Sequence, residues 1–113
     1  MSQQALKGHL DMLVLAVLAD GPKHGYAVID ALRDRSDEAF DLPEGTVYPA
    51  LHRLERAGLL RSEWSEVQGR RRRTYHLTDA GTTGLATRAA EWQRFVASVG
   101  DVIGRSGPWP ASA

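Results

Sequence analysis

The 113-residue chain predicts a mainly α-helical fold with one small β-hairpin, an α+β arrangement. Three observations carry that expectation. Apolar residues recur at helical spacing in four separate stretches. Residues 59–77 alternate instead, and the alternation is broken by Gln68-Gly69, a two-residue turn signal. The last stretch keeps a repeat close to 3.5 residues from Leu85 to Ile103.

The first helix is expected over residues 5–19, where Leu6, Leu10, Leu13 and Val17 share a face and Val14 and Leu18 lie beside it. Met12 and Leu15 widen the stripe until the second half is apolar nearly all round, the mark of a helix buried on more than one side. Asp20-Gly21-Pro22 ends it in a turn. A second helix runs from His24 to Arg35, with Tyr26, Ile29 and Leu32 facing the core and Gly25 allowing close backbone approach at its start. Residues 36–44, SDEAFDLPE, form an acidic connection that Phe40 and Leu42 pin to the core. A third helix follows, with Thr46 as N-cap and Pro49 in the first turn, where a missing N–H costs little. Val47, Leu51, Leu54 and Ala57 form its buried face, and Gly58 stops it as a left-handed residue. Tyr48, His52, Arg53 and Arg56 lie on the opposite face.

In the hairpin, Leu60, Ser62, Trp64 and Glu66 point to one side, and Tyr75 and Leu77 share the buried side. Arg70, Arg71, Arg72 and Arg73 follow the turn directly. Thr78 caps the last helix, and Asp79 sits at its positive end. From there Leu85, Ala89, Trp92, Val96, Val99 and Ile103 form one seam, with Phe95 and Val102 flanking it. A helix of about 35 to 40 Å carrying such a seam has more apolar surface than a small domain can cover, which implies a homodimer. The other solution is for the seam to fold back on the first helix. The domain division is therefore residues 1–77, residues 78–104 as the dimerisation helix, and 105–113 as a flexible tail.

Charge distribution says more than the formal net charge of zero. Residues 1–44 hold four basic and eight acidic groups, whereas residues 45–77 hold seven arginines and three glutamates. The basic third coincides with the third helix and the hairpin, a surface suited to nucleic-acid phosphates. A solvated turn is the bland alternative for the arginine run. The chain has no cysteine, which removes disulfides and thiolate chemistry. The apolar run from Met12 to Ala19 is far short of the roughly 20 residues a bilayer span requires, so a cytoplasmic location and no membrane partner are expected. The carboxylates are scattered and no glycine-rich phosphate loop is present, so an enzyme is not expected. His9, His24, His52 and His76 lack ligand spacing, so neither metal nor cofactor is expected.

The run GTVYPALHRLERAGLL, the basic turn, and Arg73-Thr74-Tyr75-His76-Leu77-Thr78-Asp79-Ala80-Gly81 resemble the PadR family of bacterial transcriptional regulators. The resemblance extends back to Leu13-Val14-Leu15 and His24-Gly25-Tyr26. It implies a winged helix-turn-helix with a long C-terminal dimerisation helix, and a repressor. The third helix then becomes the reading helix, with Thr46, Tyr48, Pro49, His52, Arg53 and Arg56 as candidate contacts to double-stranded DNA. Arg53 and Arg56 lie further along and either clamp phosphates or pair with Glu55 or Glu63. The hydroxyl of Tyr48 has packing against the core as its alternative. Arg70 to Arg73 would meet phosphate or the minor groove, and Lys23 a phosphate at a helix start, unless it belongs to a solvated turn. The resemblance also implies a small aromatic effector, held by Trp92 with Leu13, Val17 and Val96. The simpler role for Trp92 is packing in the dimer core. The rival reading is a winged helix that docks an acidic protein instead of DNA.

Overall fold

A computed structural model describes Leu6 and residues 8–104. Residues 5 and 7 of the expected first helix, and the expected tail 105–113, lie outside the described residues. The elements in chain order are α1 (Leu10–Ala19), β1 (Lys23–His24), α2 (Gly25–Arg35), α3 (Glu44–Arg56), β2 (Leu60–Val67), β3 (Arg70–Leu77) and α4 (Asp79–Ile103). Among the described residues these four helices pack around a three-stranded antiparallel sheet of order β1-β3-β2.

The apolar stripe of α1 meets the inner faces of α2 and α3 and the base of the sheet. Val14, Leu15, Val28, Val47, Leu51 and Tyr75 are almost wholly buried in that one core. Phe40 and Leu42 pack against it from the acidic connection, as expected. Residue 6 is helical, but Gly8 and His9 form a turn, so the helix is not continuous over 5–19. Glycine is a poor helix former, and His9 (φ −126°, ψ −5°) leaves the helical region.

The second helix buries Gly25, Val28 and Leu32, while Tyr26 points outward with 56% of its surface exposed. Steps of three from Tyr26, and of three then four from Gly25, both fit helical spacing, and the core selects the second. Helix α3 begins at Glu44 with Pro43 as N-cap, its carbonyl accepting from the N–H groups of Thr46 and Val47 at 3.0 and 3.2 Å. Thr46 is therefore inside the first turn and is not the cap. Pro49 lies in the helix interior, where it has no N–H to return to the Gly45 carbonyl. Ala57 is exposed at the C-cap, and Ala50 takes the fourth buried position.

Gln68 (φ 53°) and Gly69 (φ 78°) are both left-handed, the geometry of a two-residue turn matched to the twist of a hairpin. Strand β1 is not legible in the sequence: two residues make no period, and it is defined only by pairing of Lys23 with Tyr75 and His24 with Thr74. Thr78 caps α4 through a 3.0 Å bond from the Gly81 N–H, and its own hydroxyl donates to the Gly58 carbonyl at 2.7 Å. That pair of bonds sets the angle at which α4 leaves the domain. The molecule extends 57 × 27 × 23 Å, and its radius of gyration of 16.1 Å exceeds the roughly 13 Å of a compact chain this long. Among the described residues no helix is long and apolar enough to cross a membrane.

Candidate nucleic-acid interface

Burial of Val47, Ala50, Leu51 and Leu54 turns the other face of α3 outward. Pro49, His52, Arg53 and Arg56 are exposed on it, and Thr46 and Tyr48 are half-buried. Tyr48 rests on Gly25 so closely that a Cβ there would overlap its hydroxyl and ring. The glycine therefore makes room for a side chain rather than for backbone. Tyr26 meets Tyr48 edge to face, with ring centroids 6.2 Å apart, and its hydroxyl donates to the Glu44 carboxylate at 2.9 Å. Burial, then Glu44, raises the Tyr48 phenol above its usual pKa. The bond to Glu44 does the same for Tyr26. Both phenols are thus neutral hydroxyls beside the start of α3.

Arg53 turns away from these hydroxyls. Its Nη2 lies 2.5 Å from Asp11 Oδ1, tying α3 to α1 instead of to Glu55 or Glu63. Arg56, one turn on, is exposed at the helix end. Lys23, in the edge strand β1, turns its Nζ back to donate to the Gly21 carbonyl at 3.4 Å.

The hairpin register divides the four arginines between two faces. Trp64 lies opposite Arg73 and Glu66 opposite Arg71, so Arg71 and Arg73 share the face of Trp64. Their guanidinium carbons stand 4.5 and 5.5 Å from the Trp64 ring centroid. Arg73 also donates from Nε to Ser62 Oγ at 2.7 Å and from Nη2 to Glu55 Oε1 at 3.2 Å. Glu55 accepts from the Ser62 hydroxyl as well. That bond and the charge of Arg73 hold the Glu55 carboxyl below its usual pKa, against a smaller opposing effect of burial. Arg73 is thus a brace between α3 and the hairpin. Arg70 and Arg72 lie on the other face, opposite Val67 and Ser65. His24 is held below its usual pKa by burial and by the charge of Arg72, which outweigh Asp30. A groove of about 370 Å³ separates Tyr26 and Tyr48 from Trp64 and the wing arginines.

The near half of α4 packs home through Leu85, and from Trp92 onward its large apolar residues are largely exposed. Trp92, Phe95, Val96, Val99, Val102 and Ile103 are exposed. The Trp92 ring meets His9 edge-on at 4.7 Å and Phe95 at 5.9 Å. A hollow of about 200 Å³ beside it is lined by Leu6, His9, Met12, Leu13, Phe40 and Trp92. Val17 is buried in the core and Val96 faces outward, so neither lines the hollow with Trp92 and Leu13. His9 and Phe40 stand in their place. Sequence spacing misses them because they reach Trp92 from a turn and a loop. No group of residues placed to hold a metal occurs among the described residues.

A helix with a recessed aromatic face beside an arginine-bearing hairpin, followed by a long helix with an exposed apolar seam, is the arrangement of a winged-helix fold. The Transcriptional regulator PadR-like family matches residues 14–87. The chain belongs to the PadR-like family. A transcriptional regulator of Mycobacterium tuberculosis is 43% identical over 72 residues, 64% of either chain. The structure of a transcriptional regulator from Clostridium thermocellum superimposes with a TM-score of 0.84 at 27% identity, covering 92% of this chain and 99% of that one. A PadR family regulator from Eggerthella lenta gives 0.79 at 35% identity, covering 88% and 86%. PadR-like proteins are DNA-binding transcriptional regulators and not enzymes, and this chain has their winged-helix fold.

Proposed function

We propose that this PadR-like chain is a cytoplasmic, homodimeric repressor that reads a palindromic operator and is released by a small aromatic ligand. The observation that supports it most is the union of two surfaces by one ion pair. Glu55 on the inner flank of α3 holds Arg73 of the wing, so the exposed side of α3 and the arginine hairpin are presented together. The uncovered seam of α4 supports the dimer, since Val99 and Ile103 stay exposed on it. Two-fold symmetry would place two copies of α3 in successive major grooves about 34 Å apart. Thr46, Tyr48, Pro49 and His52 serve base reading, Arg56, Arg70, Arg71 and Arg72 serve phosphates, and Lys23 lies behind them. Arg53 and Arg73 serve the interface from within. Repression is carried by the family resemblance, and occupancy of a promoter is enough to exclude polymerase.

The hollow at Trp92 supports the ligand. At about 200 Å³ it is below the roughly 300 Å³ at which drug-sized sites begin, which suits one or two aromatic rings. Titration with planar aromatic cations in a Trp64→Phe, Trp109→Phe background should give saturable quenching of Trp92. A flat titration would remove the ligand from the proposal.

The DNA reading is tested by combining Thr46→Ala, Tyr48→Phe and His52→Ala, the phenylalanine keeping the ring that covers Gly25. Discrimination between operator and random duplex should fall by about 1–3 kcal/mol for each base the helix no longer reads. Weak, strongly salt-dependent binding to any duplex should persist. Unchanged discrimination would dismiss these residues as readers, and an acidic protein partner would replace DNA if no duplex bound at all.

A further inference from the structure

The wing carries an aromatic side chain that neither the core nor the dimer seam explains. Trp64 is 55% exposed on β2, and its chief neighbours are two cations. Arg73, directly opposite, is held by Ser62 and Glu55. Arg71, one rung further out on the same face, stands closer to the indole, with its guanidinium carbon 4.5 Å from the ring centroid. Among the described residues Arg71 forms no ion pair with a carboxylate, although Glu66 lies opposite it in register. The result is a ladder running outward from the reading helix: Glu55, Arg73, Trp64, Arg71.

We propose that Trp64 is the positioning residue of the wing, holding the Arg71 guanidinium on its ring so that Arg71 meets a DNA phosphate already oriented. The inference deepens the DNA reading above and rests on it. A guanidinium stacked through its face keeps its N–H donors in the plane of the group, free to take two phosphate oxygens side by side. An unstacked arginine on a hairpin tip would have to lose its rotamer freedom at the moment of binding. The inner rungs are fixed to α3 through Glu55, so the position of Arg71 is set relative to the reading helix. The groove between the wing and Tyr48 leaves space for the sugar-phosphate backbone on that face.

A double-mutant cycle tests this with a random-sequence duplex long enough for both wings, titrated across a salt series. Arg71→Ala should lower the slope of log affinity against log salt by about 0.9 for each wing. Trp64→Leu should weaken binding about threefold per wing, roughly tenfold for the dimer, and Trp64→Phe should restore most of it. In the Arg71→Ala background, Trp64→Leu should cost less than about twofold, because the group it positions is gone. A full tenfold loss in that background would overturn the proposal by showing that Trp64 acts on its own or through the fold of the hairpin. So would a salt slope unmoved by Arg71→Ala. Should Trp64→Leu unfold the hairpin, Arg71→Lys keeps the charge without the flat stack and should bind as weakly as Trp64→Leu is expected to. Wild-type affinity for Arg71→Lys would refute the idea. A wild-type protein that binds no duplex fails differently, since it removes the DNA reading itself along with the inference built on it.

Discussion

At Gly25 the lack of one methyl group decides where α3 keeps its tyrosine. The Tyr48 ring fills the space a Cβ would occupy, which buries part of the ring and turns its hydroxyl toward the start of α2. Gly25→Ala should therefore destabilise the protein by about 1–3 kcal/mol, as overpacked cores do. Most of that loss should vanish when Tyr48→Ala is added, because the clash has a single partner. Urea unfolding of the two single variants and the double would measure it, and strict additivity would show that the glycine is needed for some other reason. A glycine at a helix start is visible in the sequence, and it predicts close approach. That the approaching group is a ring 23 positions away, and not backbone, depends on how α2 and α3 cross.

The elements are joined by short polar bridges, and the one from Glu55 to Ser62 and Arg73 gives the α3–wing junction a pH dependence. The folded Glu55 carboxyl lies below its usual pKa of 4.5, mainly through the Ser62 hydroxyl and then through Arg73. Its contribution to stability is thus fully present above that usual value and is lost as pH falls through the lower folded value. Glu55→Gln should lower stability near neutral pH by about 1 kcal/mol or less, since both partners retain some exposure. The gap from wild type should close in acid. Denaturant midpoints measured from neutral to acidic pH would show it; a gap of constant size would mean that protonation of Glu55 does not differ between folded and unfolded chains. In the sequence Glu55 reads only as a partner for Arg53 or Arg56, because the partner that claims it comes from another element. The helical stripes are mostly legible, and the departures from them are of one kind. Val28 takes the buried place expected for Tyr26, and Ala50 that expected for Ala57, since neighbouring helical positions fit a repeat almost equally well until packing chooses between them.

For the molecule as a whole, the asset and the liability are the same: α4 projects an apolar seam that the domain leaves uncovered. Val102 is 86% exposed, and Val99 and Ile103 are open beside it. Val99→Glu puts a charge into that seam without touching the core. If the seam is the dimer interface, sedimentation should show a monomer that keeps its helical circular dichroism. Affinity for a two-site palindrome should fall by about 100-fold or more, with half-site affinity nearly unchanged, because the second module no longer acts at high effective concentration. A dimer that survives Val99→Glu would place the contact elsewhere on the chain.

Local chemistry was enough to determine the helical stripes, the Gln68-Gly69 turn, the Thr78 cap and the concentration of arginine in the central third, because each depends on residues close together in sequence. Tertiary structure alone decided which arginines face outward. Arg53 is claimed by Asp11 and Arg73 by Glu55, while Arg71 rests on Trp64. The pair that claims Arg53 joins residues 42 positions apart, and the one that claims Arg73 joins residues 18 apart. A run of like charges reads as one surface in a sequence, but strand pleat and helix crossing divide it among a brace, a stacked cation and free ends.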